Sequence, residues 1–169
     1  MAARAAALTA HLLALPELAA AGTVAAYVSV GTEPATDEVL AALHARGARV
    51  LLPVLLDDGD LDWAEYTGLH ELHEVGHGLR EPTGPPLGRE AVGHADVVLV
   101  PGVAASPAGV RMGRGGGSYD RALTRVRPGA LTVLLLHPGE VGQPVPTEPH
   151  DRGVDLAVTA EGVTRFTQP

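Results

Sequence analysis

The sequence contains no cysteine, which excludes disulfide bonds, thiolate metal sites and cysteine nucleophiles. Lysine, asparagine and isoleucine are also missing, and we attribute their absence to a GC-rich coding bias. No apolar run reaches the roughly 18 residues that a membrane-spanning helix needs. We therefore expect a cytoplasmic protein that has no membrane partner.

Positive charge is scarce as well. Twelve arginines face twenty acidic residues, so the formal net charge is −8 at pH 7. Proteins that bind nucleic acids need clustered positive charge to neutralise phosphates. The composition therefore argues against a nucleic-acid partner, and it draws attention to the few places where arginines lie close together.

Four apolar segments have the composition of buried parallel strands. They cover residues 23–30, 49–56, 95–102 and 130–137. Between the first two, the pattern predicts a helix with Thr36 as its N-cap and Gly47 as its C-terminal stop. A second helix is predicted from Ser118 to Val126. This alternation predicts a three-layer α/β fold, with residues 1–169 forming a single domain that we expect to be monomeric.

Residues 57–94 do not follow this pattern. They contain acidic turns, a short strand-like segment "LDWAEY", several histidines and the Pro/Gly-rich "REPTGPPLG". We expect this stretch to form a long loop excursion over one edge of the sheet.

The stretch "RMGRGGGSYDRAL", residues 111–123, has the strongest chemical signal in the chain. A glycine-rich loop between a strand and a helix start presents backbone N–H groups to an anion, and Arg111 and Arg114 add charge suited to phosphate oxygens. Asp120 could hold Mg²⁺ bridging those phosphates. The stretch is not a P-loop, which needs lysine, nor a dinucleotide fingerprint, because Ser118 replaces the final glycine. The alternatives are a glycine turn with solvated arginines and, for Asp120, an acid stabilised at a helix start.

Four segments together resemble the 5-formyltetrahydrofolate cyclo-ligase family. "LLALPELAAAGTVAAYVSVGTEPATDEVLAALHARGARVLLPV", residues 12–54, is similar to the family's first βαβ unit. "PGVAASPAGVRMGRGGGSYDRAL" resembles its signature, "GLREP" resembles its G-I-x-E-P turn, and "VPTEPHDRGVDLAVTAEGV" resembles its closing segment. The resemblance runs in order from about residue 12 to residue 166.

The resemblance implies both a fold and a reaction. The family has the α/β/α fold of the NagB, RpiA and CoA-transferase superfamily. It uses MgATP to convert 5-formyltetrahydrofolate to 5,10-methenyltetrahydrofolate, ADP and phosphate. The γ-phosphoryl group is transferred to the formamide oxygen, N10 then attacks the activated carbon, and phosphate leaves.

The resemblance also implies roles for individual residues. ATP binding is expected at Arg111, Gly113, Arg114, Gly115, Gly116, Gly117 and Tyr119. Mg²⁺ is expected at Asp120 and Asp151, folate at Glu33 and Tyr119, and catalysis at Arg114, Tyr119 and Asp120. Without the resemblance, Glu33 is more simply a solvated loop residue, and Asp151 belongs to a turn before the last strand.

The sequence departs from the family at two places. The family's basic N-terminal segment, which contacts ATP, is not found before Pro16, where only Arg4 is basic. Either the start codon is assigned too far downstream, or part of the ATP site is lost. Inside the signature, Ala105 and Ser106 replace Phe-Asp, and Ser118 replaces a tyrosine, so a stacking wall and a metal or loop contact are in doubt.

Other functions are possible at this stage. The segment "HEVGH", His73 to His77, matches a zinc-hydrolase motif, and His70 lies nearby. Gly76 and Pro82 oppose the helix this motif requires, although the exposed histidines could bind metal adventitiously. A non-catalytic paralogue that binds folate or nucleotide is a second alternative. A sugar-phosphate isomerase or CoA-transferase, suggested by fold alone, is a third.

Overall fold

A computed structural model describes residues 1–148 and 153–167. The helices are α1 (Ala2–Leu13), α2 (Pro16–Ala20), α3 (Asp37–Ala45) and α4 (Ser118–Leu123). The strands are β1 (Thr23–Ala25), β2 (Arg49–Leu55), β3 (Leu61–Glu65), β4 (Leu72–Gly76), β5 (Leu79–Pro82), β6 (Val97–Pro101), β7 (Ala104–Ala105), β8 (Arg111–Met112), β9 (Leu131–Leu135), β10 (Leu156–Thr159) and β11 (Gly162–Arg165). Two 3₁₀ helices cover Leu69–Glu71 and Arg89–His94.

Seven strands form the main sheet, in the order β11-β10-β9-β6-β1-β2-β3. The five inner strands are parallel, while β3 and β11 are antiparallel at the two edges. The four predicted parallel strands are therefore confirmed, although β1 is only three residues long. Val24 on β1 lies between Val50 and Val97, so the centre of the sheet is apolar.

The strands alternate between two apolar clusters, as expected for a sheet covered on both faces. On β6, Val97 and Leu99 pack with the buried leucines of α1, α2 and α3. Val98 and Val100 pack on the other face with Trp63 and α4. The three-layer α/β fold is thus confirmed, and its second helical layer consists of α4 and the Arg89–His94 turn.

The expectation of a long loop across residues 57–94 was wrong, although the short strand predicted within it at "LDWAEY" is confirmed. The segment "LDWAE" alternates and buries Leu61 and Trp63, so it pairs with β2 as an edge strand. Strands β4 and β5 then form a separate hairpin, because Gly76 and Gly78 supply positive φ angles of 112° and 76° at its turn. The Oε2 atom of Glu81 accepts a hydrogen bond from the Leu55 N–H at 2.9 Å, which ties the hairpin to the sheet.

The two predicted helices form, with differences at their ends. Thr36 is the N-cap residue of α3, but its hydroxyl does not cap the helix: it donates to the Tyr27 carbonyl at 2.8 Å. Gly47 follows the end of α3 with a φ of 88°, as predicted. Helix α4 ends at Leu123, so Val126 lies beyond the helix and packs against the core from the following turn. In the part of the chain that the structure describes, no helix could cross a membrane.

Candidate functional site

A cavity of about 520 Å³ opens at the carboxyl edge of the sheet, where ligands commonly bind in α/β folds. We call it the cleft. One wall is the glycine loop, residues 113–117, and the opposite wall is the β4–β5 hairpin. The segment after β1 contributes Tyr27 and Glu33, and the β2–β3 region contributes aliphatic side chains. The cleft therefore brings Glu33 together with predicted site residues that lie 78 to 87 positions further along the chain, from Arg111 to Asp120.

Arg111 is a buried part of the cleft wall, with its side chain 6% exposed. Its Nη1 donates to the Pro101 carbonyl at 2.8 Å, and its Nη2 donates to Asp120 Oδ1 at 3.1 Å. The guanidinium carbon also lies 5.8 Å from the centre of the Tyr119 ring, within cation–π range. Arg111 thus links the end of β6 to the start of α4.

Arg114 is exposed and forms no hydrogen bond or ion pair with the residues that the structure describes. It lies in the glycine loop, where Gly115 and Gly117 have φ angles of 98° and 75°. At Gly113, an added Cβ would lie 2.9 Å from Arg111 Nη1, so only glycine fits beside that guanidinium. The loop therefore presents one uncommitted arginine together with accessible backbone.

Helix α4 has only six residues. A helix start can add the positive end of a helix dipole to an anion site, but a helix this short has a weak macrodipole. Positive charge in the cleft therefore comes mainly from the arginines.

Asp120 lies on the first turn of α4, and its side chain is 74% exposed beside Arg111. Mg²⁺ in phosphate-transfer sites is usually held by one or two carboxylates together with phosphate oxygens. A single exposed carboxylate next to a phosphate-type loop fits that arrangement. Asp151, the second predicted ligand, lies outside the described residues.

Glu33 is half-buried on the segment that follows β1. Its Oε1 accepts a hydrogen bond from the Val30 N–H at 2.7 Å, and its own N–H donates to the Val30 carbonyl at 3.1 Å. These bonds close a tight turn and hold the carboxylate at the cleft. Glu33 also lines a smaller cavity of about 270 Å³ that Arg4 of α1 reaches, so the one basic residue near the N-terminus lies on this side of the sheet.

Two tyrosines lie close to Glu33, and their hydroxyl groups are buried. Neither Tyr27 Oη nor Tyr119 Oη has a hydrogen-bond partner among the described residues. Burial raises the pKa of both phenols, and the negative charge of Glu33 raises it further. Both tyrosines are therefore neutral hydrogen-bonding groups at physiological pH.

Ser118, which replaces a tyrosine of the family signature, anchors the glycine loop to a neighbouring turn. Its Oγ donates to the Gly59 carbonyl at 2.6 Å. The same turn contains Asp60, which is 4% exposed and accepts hydrogen bonds from Arg125 at 2.7 and 2.6 Å and from Arg89 at 3.0 Å. The bonds from Arg125 are the main reason that the pKa of Asp60 is well below its usual range. We call Asp58, Asp60, Arg89 and Arg125 the Asp60 network.

The other departure from the signature lies away from the cleft. Ala105 is fully buried, and Ser106 is 5% exposed. The Ser106 Oγ accepts a hydrogen bond from the Val110 N–H at 3.0 Å and closes the turn between β7 and β8. Ser106 thus supplies a local contact that keeps this loop closed.

The "HEVGH" segment does not form the helix that a zinc hydrolase needs. It is strand β4 and the hairpin turn, with His77 at a φ of 53°. Across residues 1–148 and 153–167 there is no group of three or more potential metal ligands of the His, Cys, Asp or Glu type. The zinc-hydrolase alternative therefore has no structural basis in this region.

Sequence reasoning missed part of the cleft. Tyr27, His77, Leu79 and Arg80 line it but were not predicted as site residues. Tyr27 was assigned to a buried strand because it lies in an apolar run. The Gly-His-Gly turn at residues 76–78 is a signal from which a hairpin could have been predicted, but it does not show that the hairpin lines the cleft.

The chain is similar to known proteins over most of its length. The sequence model of the 5-formyltetrahydrofolate cyclo-ligase family matches residues 1–160. The Mycolicibacterium smegmatis protein named 5-formyltetrahydrofolate cyclo-ligase is 42% identical over 142 residues, which cover 81% of this chain and 73% of that protein. A Saccharomyces cerevisiae protein of the same name is 31% identical over 166 residues, covering 86% and 79%. The NMR structure of Aquifex aeolicus 5,10-methenyltetrahydrofolate synthetase matches with a TM-score of 0.80 and 26% identity, covering 98% of this chain and 82% of that one.

Proposed function

This chain belongs to the 5-formyltetrahydrofolate cyclo-ligase family, and we propose that the cleft is where it carries out the family's reaction. The enzyme uses ATP to convert 5-formyltetrahydrofolate to 5,10-methenyltetrahydrofolate, releasing ADP and phosphate. Different residues of the cleft are assigned to the two reactants.

The observation that carries the proposal is that one cavity is lined by two chemically different groups of residues. The glycine loop and Arg114 provide accessible N–H groups and a cation, which suit a triphosphate. Pro53, Leu55 and Leu61 provide apolar surface, which suits a flat folate ring, with the carboxylate of Glu33 nearby. One cleft therefore has suitable binding groups for both reactants of the cyclo-ligase reaction.

We assign the triphosphate to Arg114 and the backbone of residues 113–117. Arg111 shapes this part of the cleft, since its bonds to the Pro101 carbonyl and Asp120 hold β6 and α4 together. Tyr119 lines the cleft near both Glu33 and Arg111, so we assign it to contact both reactants. Asp120 would hold Mg²⁺, which would offset part of the negative charge of the phosphates.

We assign the folate to Glu33 and Tyr119. A carboxylate held by the Val30 N–H is pre-positioned to accept hydrogen bonds from ring N–H groups. Phosphorylation of the formamide oxygen converts a poor leaving group into phosphate, and attack by N10 then closes the new ring. The protein's own contribution is to align the two reactants and to neutralise developing negative charge.

The assignment of Arg114 is tested by Arg114→Ala, with Arg49→Ala as the matched control. Arg49 is also an exposed arginine, but it begins β2 at the opposite edge of the sheet and pairs with Glu65 at 3.6 Å. We expect Arg114→Ala to weaken ATP binding more than tenfold, because a charge-assisted contact contributes about 1.5–3 kcal/mol. Isothermal titration with a non-hydrolysable ATP analogue measures both affinities. Equal affinities for the two variants would contradict the role of Arg114.

A further inference from the structure

The polar groups that lack protein partners are concentrated at the cleft. Among the described residues, five buried side-chain nitrogen or oxygen atoms have no hydrogen-bond partner, and three of these belong to residues that line the cleft: Tyr27, Arg111 and Tyr119. A buried polar group without a partner costs free energy, so it persists mainly where a ligand or water supplies the missing bond. Tyr27 is the one of these three for which the family resemblance implied no role.

Tyr27 is held firmly in place. The residue is 3% exposed, and its carbonyl accepts the hydrogen bond from the fully buried Thr36 hydroxyl. Thr36 in turn accepts from the Ser29 N–H at 2.9 Å, which fixes the segment on the other side of Tyr27. A hydroxyl on a fixed ring is pre-organised for binding, because little conformational entropy is lost when a ligand arrives.

The surroundings of Tyr27 indicate what kind of ligand atom it meets. The carboxylate of Glu33 lies near enough to influence both tyrosines electrostatically. The charge of Glu33 acts on Tyr27 more strongly than the opposite charge of Arg114 does, so a phosphate group is disfavoured as the partner of this hydroxyl. A neutral tyrosine hydroxyl beside a carboxylate is suited to donate to a neutral acceptor, such as a carbonyl oxygen.

We propose that Tyr27 is a substrate-binding residue whose hydroxyl donates a hydrogen bond to a carbonyl oxygen of the reduced folate, beside Glu33 and Tyr119. The inference rests on the proposed function, since the folate supplies that carbonyl. It assigns the folate to Tyr27 and Glu33, and leaves the phosphates to Arg114 and the glycine loop.

The test is Tyr27→Phe, which removes only the hydroxyl. The matched control is Tyr66→Phe, because Tyr66 is 2% exposed but does not line the cleft. We expect Tyr27→Phe to raise the dissociation constant and the KM for 5-formyltetrahydrofolate about five- to tenfold, the size of one hydrogen bond, and to leave ATP affinity unchanged. We also expect its melting temperature without ligand to equal or exceed that of the wild type, because the hydroxyl makes no bond within the described residues.

The outcomes are distinguishable. Weakened folate binding with unchanged ATP binding and an undiminished melting temperature supports the inference. If the wild type binds folate and Tyr27→Phe binds it equally well, the inference is overturned while the proposed function stands. A lower melting temperature with no selective loss of folate affinity also overturns it, since the hydroxyl would then be structural. If the wild type does not bind 5-formyltetrahydrofolate, the proposed function fails and the inference fails with it.

Discussion

At the scale of single residues, two arginines of one motif have different surroundings. Arg111 and Arg114 are three positions apart and were both predicted to bind phosphate. Arg111 is buried and already donates to Pro101 and Asp120, whereas Arg114 is exposed with no described partner. Arg111 therefore mainly stabilises the structure of the cleft, whereas the charge of Arg114 is available to a ligand.

Arg111→Ala should consequently lower stability, which Arg114→Ala should not. Removing a buried guanidinium leaves the Pro101 carbonyl without its donor, and a hydrogen bond that involves a charged group contributes about 1.5–3 kcal/mol. Urea unfolding followed by circular dichroism gives the free energy of unfolding of both variants. Indistinguishable unfolding curves would show that Arg111 has no such structural role.

At the scale of elements, the glycine loop depends on a turn that is distant in sequence. The turn between β2 and β3 is joined to α4 by Ser118, which donates to the Gly59 carbonyl, and by Arg121, which donates to the Asp58 carbonyl at 3.2 Å. The Asp60 network joins the same turn to the Arg89–His94 helix and to the segment after α4. These bonds position the start of α4 and hence the glycine loop that precedes it.

Asp60→Asn should destabilise the protein near neutral pH, because Arg125 and Arg89 lose a carboxylate that is bonded to both. The pKa of Asp60 is lower in the folded state than in the unfolded state, so its contribution is fully present above the unfolded value. That contribution is lost as pH falls below about 4 and through the folded pKa. We therefore expect the melting temperature of Asp60→Asn to be well below that of the wild type at pH 7, and the gap to narrow in acid.

Scanning calorimetry at pH 7 and at acid pH measures this gap. Asp62→Asn is a suitable comparison. Asp62 lies close to Asp60 in sequence, in β3, but among the described residues it accepts hydrogen bonds only from the backbone N–H groups of Trp63 and Gly88. A gap for Asp60→Asn that does not change with pH would contradict the account of the Asp60 network.

At the scale of the whole molecule, the sequence predicted the layers well and the cleft in part. Apolar runs such as residues 95–102 predict buried parallel strands, because such strands are covered on both faces and need no alternation. The hairpin of β4 and β5 was not predicted, since its side chains are mostly exposed and its role is to cover the cleft. The burial of Arg111 and the position of Tyr27 at the cleft could not be predicted either, because both depend on segments that only the fold brings together.

We propose that this cleft converts 5-formyltetrahydrofolate with ATP. The absorbance of the product, 5,10-methenyltetrahydrofolate, measures that activity directly. Purified wild-type protein is mixed with 5-formyltetrahydrofolate and MgATP, with chelator-treated, Arg114→Ala and Arg49→Ala samples in parallel. We predict product formation by the wild type and by Arg49→Ala, together with a loss of activity on chelation and in Arg114→Ala at limiting ATP. A folded wild-type protein that binds both reactants and forms no product would contradict the claim and indicate a non-catalytic member of the family.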